Sequence, residues 1–310
     1  MKAPPFQITP KILKLSGQIH EILGKLTVVS FPKPSVKLRK ENKIKTIQSS
    51  LAIEGNTLTL AQVTDIIEHK RVIGPAKDIL EVKNAIQLYE SIARFNPSSE
   101  QDLLKAHKVL MQGLIERAGV YRNSAVGIFK AGKVSKIAPP AKQVPELMGD
   151  LFEFLKKEKN HDILLKSCIF HYELELIHPF IGGNGRMGRL WQQLLLMQYS
   201  PIFELVAIET VIHEHQEKYY KALEQSDSAG NSTKFIEFSL ATILAALNNF
   251  SKEYRPQRPT MRDRLEAAME HYKTQEFSRK QYMEFHRGIA TATASRDLAL
   301  GVKQGLLGLS

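Results

Sequence analysis

The chain has 310 residues, 43% hydrophobic and 24% charged, enough to bury a sizeable core and unlike disordered, collagen-like or coiled-coil compositions. Its net charge of +11 invites a nucleic-acid partner, but the excess sits at the ends: residues 1–45 hold 10 basic and 2 acidic residues, residues 252–310 hold 11 and 7, and the stretch between is close to neutral. One cysteine, Cys168, precludes an intrachain disulfide or a cysteine zinc site, and no run reaches the roughly eighteen apolar residues that cross a bilayer, so a cytoplasmic protein without a membrane partner is expected.

In chain order, residues 1–45 read as a basic N-terminal extension punctuated by Pro4, Pro5, Pro10, Pro32 and Pro34. Ser50 and Glu54 stand four apart on one face of a helix near 45–55 that Gly55 ends, and Thr59 to Gln62 reads as a capping box opening another helix. Helical spacing continues over 79–95 and 100–117. The best strand signal is Ser124 to Ile137, a short hairpin around Ala131-Gly132-Lys133 that stops at Pro139-Pro140. Helical patterns follow at 143–157, at Leu165 to Leu176, at Leu190 to Met197, at 213–225 and at 233–250. The predicted fold class is therefore all-α with one hairpin. Tyr254 to Pro259 contains Arg-Pro-Gln-Arg-Pro, which cannot continue a helix, so a core over 46–251 and a small module over 260–310 are expected.

The stretch that carries chemistry is His178-Pro-Phe-Ile-Gly-Gly-Asn-Gly-Arg-Met-Gly-Arg189, set between the two most apolar helical patterns. Pro179 stops the first helix, and Gly182, Gly183 and Gly185 let the backbone turn and approach a ligand. The next helix then aims its free N–H groups and positive dipole end into the loop, which suits a phosphate. Arg186 and Arg189 share a helical face and can present two guanidinium forks to one anion. His178 can take a proton from an attacking hydroxyl. The string Gly183-x-Gly185-x-x-Gly188 lacks the preceding strand of a dinucleotide fold, and no Walker-type lysine follows. His213 and His215 do not share a helix face, so they make no metal site.

These residues resemble the signature of Fic domains, His-x-Phe-x-(Asp/Glu)-Gly-Asn-Gly-Arg-x-x-Arg, at every specified position but one. The flanks Gly119-Val-Tyr-Arg122, the hairpin from about Val126 to Pro140, Tyr219-Tyr220-Lys-Ala-Leu223 and Phe235-Ile-Glu-Phe238 are similar too. The resemblance implies a Fic-type helical bundle that transfers AMP from ATP to a hydroxyl of a protein target, with His178 as base. It further implies Gly183, Asn184 and Gly185 around the phosphates, Arg186 and Arg189 on the β- and γ-phosphates, Tyr219 and Tyr220 beside the adenine, and the hairpin as a flap that aligns the target. Ser50, Glu54 and Gly55 resemble the inhibitory (Ser/Thr)-x-x-x-Glu-(Gly/Asn) helix, in which Glu54 would pair with Arg189 and take the room of the γ-phosphate. The departure is Gly182, which stands where the family places a metal-holding acid. ATP is the expected substrate, and Mg²⁺ would then rest on phosphate oxygens and waters. A slow transferase, altered group-transfer chemistry and a nucleotide-binding pseudoenzyme all stay open.

Over 277–298 the sequence resembles a helix-turn-helix of the winged-helix kind without an evident wing, its second helix presenting Thr291, Thr293, Ser295 and Arg296. DNA binding, homodimerisation and self-modification are the alternatives that this module and the +11 charge leave open, with a DNA-associated regulator as the competing function.

Overall fold

The computed structural model describes residues 4–28, 36–130, 133–159, 161–253, 260–272, 276–286 and 289–308. The chain divides into two units, Met1–Thr27 with Ser35–Glu253, and Val28–Pro34 with Tyr254–Ser310. The described residues are mainly helical, and none of their helices is long and apolar enough to cross a membrane.

In the larger unit, α1 (Pro10–Val28) buries Ile12, Ile19, Leu23 and Leu26. The segment before it is tied to the far end of the sequence: Ser232 N–H donates to the Pro5 carbonyl and the Thr9 hydroxyl to Glu237, each at 2.9 Å. α2 (Val36–Ile53) runs straight through residue 45, where the basic extension was expected to end. Lys40 is exposed and Lys43 and Lys45 are half-buried, while Ile44, Ile47 and Leu51 are buried, so charge composition hides a continuous helix. Gly55, at φ +89°, terminates that region, with Asn56 N–H returning to the Leu51 carbonyl at 3.1 Å.

α3 (Leu60–Ile67) opens with the expected capping box, in which Thr59 Oγ1 accepts from Gln62 N–H and Gln62 Oε1 accepts from Thr59 N–H. α4 (Ala76–Glu90) and α5 (Glu100–Met111) follow; α5 ends six residues before the periodicity does. β1 (Gly127–Lys130) and β2 (Lys133–Ile137) pair antiparallel, Gly127 opposite Ile137 and Lys130 opposite Lys133. The expected turn at Ala131-Gly132 lies outside the described residues.

After α6 (Val144–Lys157), the centre of the unit is the pair α7 (Ile163–Ile177) and α8 (Asn184–Tyr199), which pack on each other more extensively than any other two helices. α7 is apolar nearly all round, as a helix covered on every side must be, and Cys168 is wholly buried within it. α9 (Ile208–Glu214) and α10 (Gln216–Ala229) replace the single helix expected over 213–225. The break is at His215, whose N–H is shared between the Val211 and Ile212 carbonyls. α11 (Thr233–Glu253) completes the unit.

The second unit holds α12 (Met261–Tyr272), α13 (Arg279–Phe285) and α14 (Thr291–Lys303) around Leu265, Ala268, Tyr282 and Ala294. Arg264 grips the buried Asp297 through two nitrogens at 2.6 and 2.9 Å, and the Tyr282 hydroxyl donates to the same carboxylate. Among the described residues no strand follows α14, and the expected linker over 254–259 lies outside them. On α14, Thr291 and Arg296 are exposed while Thr293 and Ser295 are half-buried.

Candidate active site

The α7–α8 connection forms one wall of a cavity of about 390 Å³ lined by Glu54, Glu175, His178, Gly182 to Arg186, Tyr219 and Tyr220, with Gly127 of β1 at its edge. His178 caps α7 in the left-handed conformation, φ 51° and ψ 59°, a helix ending that histidine takes more readily than most side chains and that its surroundings here hold in place. Those surroundings are chiefly Arg122. This buried guanidinium donates to the His178 carbonyl at 2.7 Å, to Pro139 at 2.6 Å and to Ser124 at 2.9 Å, while its backbone N–H donates to Pro179. Arg122 thus places a positive charge at the C-terminal end of α7, where the dipole favours it, and joins His178, the loop and the foot of β2. Burial outweighs a hydrogen bond to the Glu175 backbone and pushes the His178 imidazole down to about 4, so it is neutral at pH 7 and able to accept a proton.

The loop itself is braced twice. The Asn184 side chain closes on Phe180, accepting from its N–H and donating to its carbonyl, both at 2.9 Å, so what Asn184 offers the cavity is its backbone. Because α8 begins at Asn184, the N–H groups of its first turn have no acceptor within the helix. The second brace is His107 on α5, which no motif singles out. Its Nδ1 accepts from Gly119 N–H at 2.8 Å, its Nε2 therefore donates to the Gly182 carbonyl at 3.0 Å, and its ring lies flat on Phe180 at 3.6 Å. Burial drives this imidazole down to about 4 as well, which keeps it in that neutral form. Only backbone atoms and a stacked ring reveal His107, and neither leaves a motif.

The two arginines of α8, expected to fork onto one anion, are already engaged by different carboxylates. Arg189 is buried; its Nε donates to the Ser50 hydroxyl at 3.1 Å and its Nη2 to the Ser50 carbonyl and to Glu54 Oε1, each at 2.9 Å. Burial opposes the charge of Glu54, but Arg189 and Arg186 outweigh it and hold the carboxyl below its ordinary range. Arg186 instead lies 3.1 Å from Glu81 of α4. Arg186 Nε and Arg189 Nη1 remain buried donors without a partner among the described residues.

A Cβ on Gly185 would stand 2.5 Å from Glu54 Oε1, so only glycine lets the α2 carboxylate come this close to the loop. At Gly182 the same test meets only Ile115 and Met111, both at 3.7 Å, so its lack of a side chain is not forced by space. Gly182 offers no carboxylate, and among the described residues no cluster of three or more His, Cys, Asp or Glu could hold a metal. Of the two expected adenine neighbours, Tyr219 is buried with its hydroxyl 3.1 Å from both His171 Nε2 and Glu175 Oε1, while Tyr220 reaches the Ile53 carbonyl at 3.4 Å.

Comparison with known proteins places this geometry. The model of the Fic/DOC family matches residues 97–196, the span from α5 to α8. The chain is 30% identical over 251 residues to the protein adenylyltransferase Fic of Nematostella vectensis, covering 74% of this chain and 55% of that one. It is 28% identical over 239 residues to a protein adenylyltransferase of Caenorhabditis briggsae, covering 73% and 44%. It thus spans about half the length of the curated relatives it matches. A crystal structure of a Fic family protein from Desulfovibrio desulfuricans aligns over 98% of this chain and 92% of its own, at 42% identity and a TM-score of 0.78. A likeness of that depth over nearly the full length of both chains means that this protein belongs to the Fic family.

Proposed function

We propose that the protein is a protein adenylyltransferase held inactive by Glu54. The observation that carries this reading is the convergence of a neutral imidazole, a glycine-lined helix N-terminus and two buried guanidiniums with spare donors on one cavity, where the Glu54 carboxylate stands in for an anion. The names of the curated relatives point to the same chemistry.

In the reaction, ATP lies with its phosphates on the amides of Gly183, Asn184 and Gly185 and on Arg186 and Arg189, and its adenine toward Tyr219 and Tyr220. A hydroxyl of the target protein attacks the α-phosphorus and its proton passes to His178. The new P–O bond forms as the bond to the β-phosphate breaks, and pyrophosphate leaves. Arg186 and Arg189 neutralise the charge that builds on the leaving group, which this kind of transfer needs more than covalent help. Gly182 supplies no ligand, so a Mg²⁺ ion would have to be held by the phosphates themselves and would supply charge neutralisation alongside Arg186 and Arg189. β1 and β2 act as the flap, extending the sheet by the target's backbone; Arg122, which holds both His178 and Pro139, keeps flap and base in register. A cytoplasmic location fits the single buried Cys168.

The inhibition follows from arithmetic of charge: Arg189 cannot serve Glu54 and a γ-phosphate in one geometry. Incubation with ATP labelled at the α-phosphate tests both parts. Glu54→Gly is expected to raise label on protein at least tenfold and His178→Ala to abolish it in either background. No transfer from Glu54→Gly, with or without Gly182→Asp, would leave a nucleotide-binding protein without this activity.

A further inference from the structure

Glu175 sits one turn before His178 on α7 and lines the same cavity, yet nothing above uses it. It ends a buried chain of polar contacts. Gln192 Nε2 donates to Ser239 Oγ at 2.7 Å, Gln192 Oε1 lies 2.7 Å from His171 Nδ1, His171 Nε2 lies 3.1 Å from the Tyr219 hydroxyl, and that hydroxyl lies 3.1 Å from Glu175 Oε1.

The Tyr219 hydroxyl has a single hydrogen and two acceptors within reach, His171 Nε2 and Glu175 Oε1, each at 3.1 Å. Given to Glu175, the hydrogen supports a carboxylate. Given to His171, which burial keeps neutral at about 3, it leaves the hydroxyl oxygen free to accept from a protonated Glu175. The chain therefore accommodates Glu175 in either protonation state, and loss of its proton turns the Tyr219 hydrogen toward it.

The position of that proton matters because of Glu54. A Cβ at Gly185 would lie 2.5 Å from Glu54 Oε1, 3.2 Å from Glu175 Oε1 and 3.2 Å from Arg189 Nη1, so both carboxyl groups and the guanidinium crowd one point. The groups facing Glu175 are Glu54 after α2, His171 and His178 on its own helix, Arg186 and Arg189 on α8, and Tyr219, Tyr220, Glu224 and Asp227 on α10. One buried guanidinium cannot neutralise two carboxylates.

Resting on the reading of Glu54 as the lock, we propose that Glu175 is a positioning residue for it: as a neutral acid it leaves Arg189 to Glu54, and on losing its proton it competes for Arg189 and drives Glu54 away. Burial, then the neighbouring Glu54, pushes its carboxyl up to about 7, which puts this exchange in the physiological range.

Two measurements on the full chain test it. In protein carrying carboxyl-labelled glutamate, the resonance lost in Glu175→Gln is expected to titrate near pH 7 in the wild type and lower in Glu54→Gln. A midpoint in the ordinary carboxylate range near 4.3 overturns the proposal. AMP transfer is then followed from pH 6 to 8.5, each protein divided by its own Glu54→Gly counterpart to cancel the pH dependence of the chemistry. The wild-type ratio is expected to rise at least threefold, and the ratio for Glu175→Gln, whose side chain cannot ionise, to stay flat. Equal ratios in the two overturn it. If Glu54→Gly releases no activity at any pH, the lock reading fails, and the titration still decides the state of Glu175. Should Glu175→Gln not fold, the wild-type ratio and the Glu54→Gln shift decide.

Discussion

Arg122 shows how much a single side chain can hold. It satisfies carbonyls at His178, Ile177, Pro139 and Ser124, and removing it strips the donor from the buried Ile177 carbonyl and from three partly buried contacts at once. Arg122→Ala is expected to cost about 3 kcal/mol, read as a lowered unfolding midpoint in urea, and to lower AMP transfer more than Arg122→Lys. Gly182→Asp is the opposite kind of change, since ordinary contact distances surround the new Cβ. It is expected to fold normally and to raise Mg²⁺-dependent transfer in the Glu54→Gly background, which a magnesium titration of the rate would read. The residues of the loop were legible in the sequence because glycines, a histidine and arginines within twelve positions have few other uses. His107 was not, because its partners are the Gly119 amide and the Gly182 carbonyl, 12 and 75 residues away, and backbone atoms carry no side-chain signal.

At the level of elements, α2 is the piece on which the proposed regulation turns. The sequence showed its last turn through Ser50 and Glu54 but not its length, since Lys40, Lys43 and Lys45 read as an extension when they lie on the outer side of a helix. Its C-terminal end is fixed by the Gly55 turn and then by the capping box of α3. Thr59→Ala removes that box and is expected to cost about 1 kcal/mol in thermal or urea unfolding, with a small release of inhibition. The break between α9 and α10 had no glycine or proline to announce it; a bifurcated hydrogen bond at His215 makes it, and only coordinates show such a bond.

Across the whole molecule, three buried imidazoles set the response to acid. His107, His171 and His178 are held at about 4, 3 and 4, below the free value of 6.5. Each takes up its proton more readily when unfolded, so the stability they confer is complete above pH 6.5 and is lost progressively as pH falls toward 4. The unfolding temperature is expected to drop steeply over that interval in a calorimetric series, and replacing His107 by Gln to make the drop shallower. The charge of +11 bears on this little, because the cavity is built from helix amides and two arginines in the near-neutral middle of the chain. Among the described basic residues toward the N-terminal end, Lys40, Lys45 and Arg39 already face Glu68, Glu253 and Glu204.

The left-handed backbone at His178 has one more consequence. Histidine and asparagine are both among the few side chains enriched in that conformation, so Asn can take the place of His178 without straining the main chain. The residue proposed to take the proton is thus one the fold would relinquish readily. His178→Asn should melt near the wild-type temperature while transferring nothing, which makes it a convenient scaffold for trapping the proposed target.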